Sequence, residues 1–175
     1  MWRFFNSISA NISLDLIGKS ARRYSGGMPL ATSVMIASGY TLVAWTVCHY
    51  ASVVPLSYAS DYSFPIGTSL FLIGLAGNLY HHYLLASLRT SGEKGYKVPM
   101  GGFFELAGGL AAPHYLFELV GWLGVVFIAQ HVNVLLVFIA MAVYLFDRAA
   151  AQTEWNRDKI PAYPVSRKNI LPYIF

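Results

Sequence analysis

The chain has 175 residues, of which 56% are hydrophobic and 11% are charged, with a net charge of +4. Soluble domains carry about a quarter charged residues, so this composition excludes a molecule whose whole surface faces water. The length fits one domain, and because a helical span takes about 20 apolar residues, it has room for four spans with short connections.

Four apolar runs follow a mixed N-terminal segment. They cover residues 30–52, 66–86, 102–129 and 132–147. The fourth run is short for a span, so we expect its helix to continue into residues 148–151. The pattern predicts an all-α polytopic membrane bundle of about four transmembrane helices. Residues 1–28 are predicted to form a cytoplasmic or interfacial segment, and residues 29–175 the membrane domain.

The third run is interrupted by Gly108, Gly109 and Pro113. This interruption predicts a broken or re-entrant segment that leads into a helix starting near Pro113. Non-helical backbone at membrane depth is tolerated only where protein or a water-filled cavity shields it, so the break points to a site. Proline is also common in the first turn of an ordinary helix, which is the simpler reading.

The positions of lysine and arginine predict the orientation. All 12 basic residues lie before the first run, between the second and third runs, or after the fourth. The connection 53–65 and the gap between the third and fourth runs contain none. In a four-pass chain all the basic residues then fall on one side, so we predict cytoplasmic N- and C-termini. A basic membrane face accounts for the net charge, and no nucleic-acid partner is expected.

Polar side chains form a stripe at the end of the second run. Asn78, His82 and Arg89 are spaced by four and seven residues and therefore share one helical face. An amide, an imidazole and a guanidinium suit a phosphate-bearing ligand that enters from the cytoplasm. Alternatively, Asn78 and His82 join helices and Arg89 reaches the lipid headgroups. The sequence alone leaves both readings open.

The third run carries a second polar group. His114, Glu118 and Trp122 follow one another at intervals of one helical turn, and Glu105 precedes them. They could position a polar ligand or, together with His82, bind a metal ion. The chain has only 5 histidines, too few for a membrane di-iron centre, so we expect no metal.

The tail, residues 148–175, mixes polar and aromatic side chains. It could lie at the membrane interface as part of an aromatic belt. We favour a cap over the cytoplasmic mouth of the helix bundle.

Ordered motifs from about residue 77 to the end carry a family resemblance. They are Gly77-Asn78, Ser87-Leu88-Arg89, the stretch Gly92 to Glu105, Pro113-His114-Tyr115-Leu116-Phe117-Glu118, Trp122, Arg148-Ala149, Tyr163-Pro164, Arg167-Lys168 and Ile170 to Phe175. This region resembles the C-terminal domain of the steroid 5α-reductase family, which includes polyprenol reductases and very-long-chain enoyl-CoA reductases. The sequence departs from the family pattern at Gln152, Thr153 and Asn156.

The resemblance implies NADPH-dependent reduction of a carbon–carbon double bond conjugated to a carbonyl, in the endoplasmic reticulum membrane. The acceptor would be a 3-oxo-Δ4-steroid, a polyprenal-like lipid or an enoyl thioester. The implied cofactor-side residues are Asn78, His82, Arg89, Lys97, His114, Glu118, Trp122 and Arg148. The family attributes proton donation to a tyrosine and a glutamate on helices before this region. We expect the chain to lack those helices, so no catalytic residue is assigned.

Two other functions remain open. Isoprenylcysteine-type membrane methyltransferases, which use S-adenosylmethionine, have a similar C-terminal arrangement. Their pattern has an arginine before the His-Pro pair, and Ala111-Ala112-Pro113-His114 has none. The chain could also be a non-catalytic scaffold with a membrane-protein partner. A transporter is not supported, because the sequence shows no internal repeat.

Overall fold

A computed structural model describes residues 29–55, 60–88 and 95–174. These residues form four α-helices. They are α1 (Leu30–Val53), α2 (Ser63–Ser87), α3 (Pro113–Ala129) and α4 (Val132–Lys159). Two short 3₁₀ turns, Gly102–Phe104 and Leu106–Gly108, lie between α2 and α3. The only β-type pairing in the described ranges is one isolated bridge, and the predicted all-α class is confirmed.

Helices α1, α2 and α4 are long and apolar enough to cross a membrane. Helix α4 runs on to Lys159, so the prediction that the fourth run continues past residue 147 is confirmed. Helix α3 has 17 residues, which at 1.5 Å per residue gives about 26 Å, slightly less than the hydrocarbon thickness. It begins at Pro113, as predicted, after the broken segment, residues 101–112, which contains the two 3₁₀ turns.

Helices α2 and α3 are antiparallel and pack backbone against backbone. A Cβ atom on Gly67 would lie 2.7 Å from the carbonyl oxygen of Gly124, and one on Gly74 would overlap the backbone of Gly121. Small residues at such crossings are the usual means by which membrane helices approach closely. The contact aligns the C-terminal half of α2 with the N-terminal half of α3.

The connection between α3 and α4 is short. Gln130 ends α3 in the left-handed conformation, with a φ of 48°. His131 then caps α4, because its Nδ1 accepts a hydrogen bond from the backbone N–H of Asn133 at 3.1 Å. The turn returns α4 antiparallel to α3.

The tail covers the broken segment. The N–H groups of Ala111 and Ala112 donate to the carbonyl oxygens of Lys168 and Asn169 at 2.7 and 3.1 Å, and the N–H of Lys168 donates to Gly109 at 3.1 Å. Ile170 is buried there in a core cluster with residues of α3 and α4. The tail is therefore a cap, as predicted; that this cap faces the cytoplasm stays a prediction.

The chain divides into two compact units, residues 1–38 and 39–175. The polar groups considered below all lie in the second unit. The predicted N-terminal segment, residues 1–28, lies outside the described residues, and its boundary with the membrane domain stays a prediction.

Candidate functional site

Asn78 joins α2 to the start of α3. Its Nδ2 donates a hydrogen bond to the backbone carbonyl of His114 at 3.0 Å. This is the helix-joining role that the sequence left open for Asn78. Because His114 is the second residue of α3, the bond fixes the helix N-terminus beside the polar stripe of α2.

His82 and His114 form a pair across the same helix contact. His82 lies one turn after Asn78 on α2, and the two imidazole rings are 4.8 Å apart between centroids. His114 is buried, and its Nδ1 has no hydrogen-bond partner among the described residues. A buried polar atom without a partner costs about 1–3 kcal/mol, so such an atom indicates a position that a ligand or water completes.

Glu118 and Trp122 occupy the next two turns of α3. The Trp122 indole lies close enough to Glu118 to interact with its carboxyl group. Tyr40 of α1 lies within electrostatic range of Glu118, Tyr115 and Tyr144. Residues of α1, α3 and α4 thus interact electrostatically at Tyr40.

Two of the three basic residues predicted for the site, Lys97 and Arg148, are described by the structure. Lys97 is exposed in the loop before the broken segment, and Arg148 is exposed on α4. In the part of the chain that the structure describes, Arg148 makes no hydrogen bond or ion pair with the other predicted site residues. Arg89 lies outside the described residues, so its place in the stripe stays a prediction.

Glu105 has a different role from the one considered for a metal cluster. Its Oε2 accepts a hydrogen bond from the backbone N–H of Gly101 at 2.7 Å, which closes the first 3₁₀ turn. Across residues 29–55, 60–88 and 95–174, no three His, Cys, Asp or Glu side chains are grouped so as to hold a metal ion.

Two buried residues near the site were not selected from the sequence. His81 is 1% exposed and bonds both α2 and the broken segment. Arg167 is 5% exposed, donates from Nη2 to the carbonyl of Pro99 at 2.8 Å and lies over the Tyr163 ring. His81 was missed because it does not lie on the helical face shared by Asn78 and His82. Arg167 belongs to one of the family motifs, but no other signal in the sequence indicated a role for it.

A polar chain extends from α4 into the cap. Gln152 donates to the Oδ1 of Asn156 at 2.8 Å, and Asn156 donates to the hydroxyl of Tyr163 at 3.2 Å. Asn156 and Tyr163 are both buried. The departures from the family pattern at Gln152 and Asn156 thus form an internally bonded set.

The family model for 3-oxo-5-alpha-steroid 4-dehydrogenase matches residues 28–175. The chain is 32% identical over 155 residues to 3-oxo-5-alpha-steroid 4-dehydrogenase 1 of Rattus norvegicus, covering 85% of this chain and 58% of that relative. It is 31% identical over 151 residues to the human enzyme 1, covering 85% and 57%. It is 28% identical over 149 residues to the human enzyme 2, covering 85% and 55%.

The chain thus spans somewhat more than half the length of the curated relatives it matches. The matched range includes all four described helices and the cap. The resemblance predicted from the ordered motifs is confirmed: this chain belongs to the 3-oxo-5-alpha-steroid 4-dehydrogenase family.

Proposed function

We propose that the chain reduces the carbon–carbon double bond conjugated to the 3-oxo group of a steroid, with NADPH as reductant. The relatives are named for removing hydrogen at position 4 of a 3-oxo-5α-steroid, and the proposed reaction is the reverse of that step. The observation that carries the proposal is the buried His114 Nδ1, which has no partner in the described part of the chain and lies beside His82.

The polar groups present fit a nicotinamide dinucleotide. The free His114 Nδ1 suits a carboxamide or ribose hydroxyl, and His82 offers a second imidazole beside it. The exposed cations Lys97 and Arg148 suit phosphate groups, with Arg89 as a further candidate. When bound, NADPH supplies the hydride.

The proton has to come from the chain or from water. Reduction of an enone develops negative charge on the carbonyl oxygen, and a positioned donor lowers that barrier. We propose Tyr40 as this donor, because its hydroxyl lies within electrostatic range of Glu118. The proton that Tyr40 gives up is replaced from water. Trp122, one turn further along α3, is the neighbour that we propose to orient the Glu118 carboxyl group.

The acceptor class follows from the relatives. Their names favour a 3-oxo-steroid over a polyprenal-like lipid or an enoyl thioester. The apolar helices would admit such an acceptor from the bilayer, so substrate and membrane are the partners we propose.

We place the protein in the endoplasmic reticulum membrane with both termini cytoplasmic. The distribution of its 12 basic residues supports this orientation. Single cysteines at the exposed positions Ser60 and Ser166, in a Cys48→Ser background, would test it in sealed microsomes. An impermeant thiol reagent should label the cysteine at 166 and spare the one at 60; the reverse pattern would overturn the orientation.

A ligand-shift experiment tests the cofactor. Purified full-length chain in nanodiscs is heated with NADPH, NADH or S-adenosylmethionine, each at a series of concentrations. A ligand at 100 times its dissociation constant adds about 2.7 kcal/mol of stability. His114→Leu should lose most of the NADPH shift, whereas His49→Leu, at an exposed histidine near the end of α1, should keep it.

The outcomes separate the candidate functions. A selective NADPH shift with conversion of a 3-oxo-Δ4-steroid supports the reductase. A shift with S-adenosylmethionine alone would transfer the chain to the methyltransferases. No shift with any ligand, in folded protein, would leave the scaffold reading.

A further inference from the structure

His81 is the most deeply buried histidine among the described residues, at 1% exposure. Its Nδ1 lies 2.6 Å from the carbonyl oxygen of Gly77, one turn earlier on α2. Its Nε2 lies 3.0 Å from the backbone nitrogen of Phe103, in the broken segment. Both ring nitrogens are thus used, and they bond different elements.

These two partners determine the protonation of the ring. A carbonyl oxygen can only accept a hydrogen bond, so Nδ1 carries the proton. A backbone N–H can only donate, so Nε2 must be unprotonated. His81 is therefore a neutral imidazole with one defined tautomer. A protonated ring could not accept the Phe103 bond.

The ring also contacts α3 and shapes the broken segment. It stacks on Phe117, with centroids 5.1 Å apart and planes at 19°, and meets Phe103 and Phe104 edge-on. A Cβ atom on Gly102 would lie 2.7 Å from the His81 Nε2. The segment can approach the imidazole this closely because residue 102 is glycine.

We propose that His81 is a positioning residue: it holds the turn Gly102–Phe104 against α2 and α3 and so maintains the spacing of the His82–His114 pair. His82 is the next residue on α2, and His114 precedes the stacked Phe117 by three positions on α3. Any displacement of His81 therefore changes both members of the pair. The identity of the ligand that the pair takes rests on the proposed function; the positioning itself does not.

Two substitutions at position 81 test the bond. Gln has an amide oxygen near the place of Nε2, so His81→Gln should keep the Phe103 bond. His81→Phe keeps a ring against Phe117 but cannot accept. Hydrogen exchange of the Phe103 amide in the full chain without ligand is the first readout. We expect wild-type protection in His81→Gln and exchange faster by roughly tenfold or more in His81→Phe.

NADPH affinity is the second readout and separates positioning from simple stabilisation. In protein that remains folded, His81→Phe should weaken binding by roughly tenfold, and His81→Gln should restore it. His49→Phe is the matched control, because His49 is exposed on α1 and touches neither element. Unchanged affinity in His81→Phe would overturn the positioning role, and unchanged amide exchange would overturn the bond.

A pair of changes covers the case in which His81→Phe does not fold. Gly102→Ala places a methyl group against the imidazole and against Tyr80, so it should expose the Phe103 amide in the same way. When His81→Ser is added, the Phe103 amide should exchange no faster than in the single changes, because both changes break the same bond. Additive effects of the two changes would overturn the proposal. If the wild-type chain binds no NADPH, the proposed cofactor fails, and the exchange data alone decide on His81.

Discussion

The α2–α3 crossing offers the sharpest test of how the fold supports the site. We consider Gly74→Ala, which adds one methyl group where α2 meets α3. That Cβ atom would overlap the backbone nitrogen and Cα of Gly121 and the carbonyl oxygen of Phe117. All three neighbours are backbone atoms of α3, so no side chain can rotate away. The two helices must separate.

The size of the effect follows from the contacts. Overpacking a tight contact usually costs 1–3 kcal/mol, and the absence of any flexible neighbour places Gly74→Ala in the upper half of that range, at about 2–3 kcal/mol. The separation would also lengthen the bond from Asn78, one turn further along α2, to the His114 carbonyl, now 3.0 Å. We therefore expect ligand affinity to fall together with stability.

The assay is reversible unfolding of the purified chain in mixed micelles, followed by the NADPH shift. Gly39→Ala on α1 is the matched control, because its added Cβ would meet nothing within 4 Å. We expect the control to be as stable as wild type or more stable by up to about 1 kcal/mol, because alanine is favoured over glycine inside a helix. If Gly74→Ala were as stable as Gly39→Ala, the close approach of α2 and α3 would be refuted, together with the helix alignment that builds the site.

Three further predictions address the bonds and the chemistry. Asn78→Leu should lower the unfolding free energy by about 0.6–1.7 kcal/mol, the range for interhelical bonds in membranes, and unfolding in mixed micelles measures it. Arg167→Met should cost about 1.5–3 kcal/mol in the same assay, because it removes a charged donor from the Pro99 carbonyl; the exposed Lys168→Met is its control, and equal stability of the two would contradict the role. Tyr40→Phe should slow steroid turnover by roughly 10²–10⁴-fold with unchanged NADPH affinity. Wild-type turnover in Tyr40→Phe would exclude that hydroxyl as the proton donor.

Local pattern was enough to predict the helices and part of the site. The start of α3 at Pro113 and the break before it follow from glycine and proline positions, which act on their own backbone. Asn78 and His82 share a face because helical periodicity is a local property. Their meeting with His114 follows once α2 and α3 are antiparallel neighbours.

The role of His81 could not be predicted in the same way. It depends on a bond to Phe103, 22 positions later in the sequence, through an irregular segment whose course has no periodic signature. The pairing of the tail with the broken segment could not be predicted either. Lys168 and Gly109 are far apart in the sequence, and only tertiary packing brings them together. Arg148 was predicted from the resemblance, and its exposed place on α4 puts it outside the polar contacts of α2 and α3.

The broken segment bonds its backbone N–H groups within the protein. Irregular backbone at membrane depth requires such bonds. The N–H of Phe103 bonds His81, those of Phe104 and Gly109 close 3₁₀ turns, and those of Ala111 and Ala112 bond the tail. These backbone N–H groups are thus hydrogen-bonded although the segment is not an α-helix. In the described part of the chain, two buried side-chain atoms are left without a partner, the Nδ1 of His114 and the Nη1 of Arg167. Arg167 is held in the cap by its bond from Nη2 to Pro99, whereas the His114 Nδ1 lies beside His82 at the α2–α3 contact. We therefore expect a ligand to bind at the His114 imidazole rather than at the irregular backbone, whose N–H groups named above are already bonded.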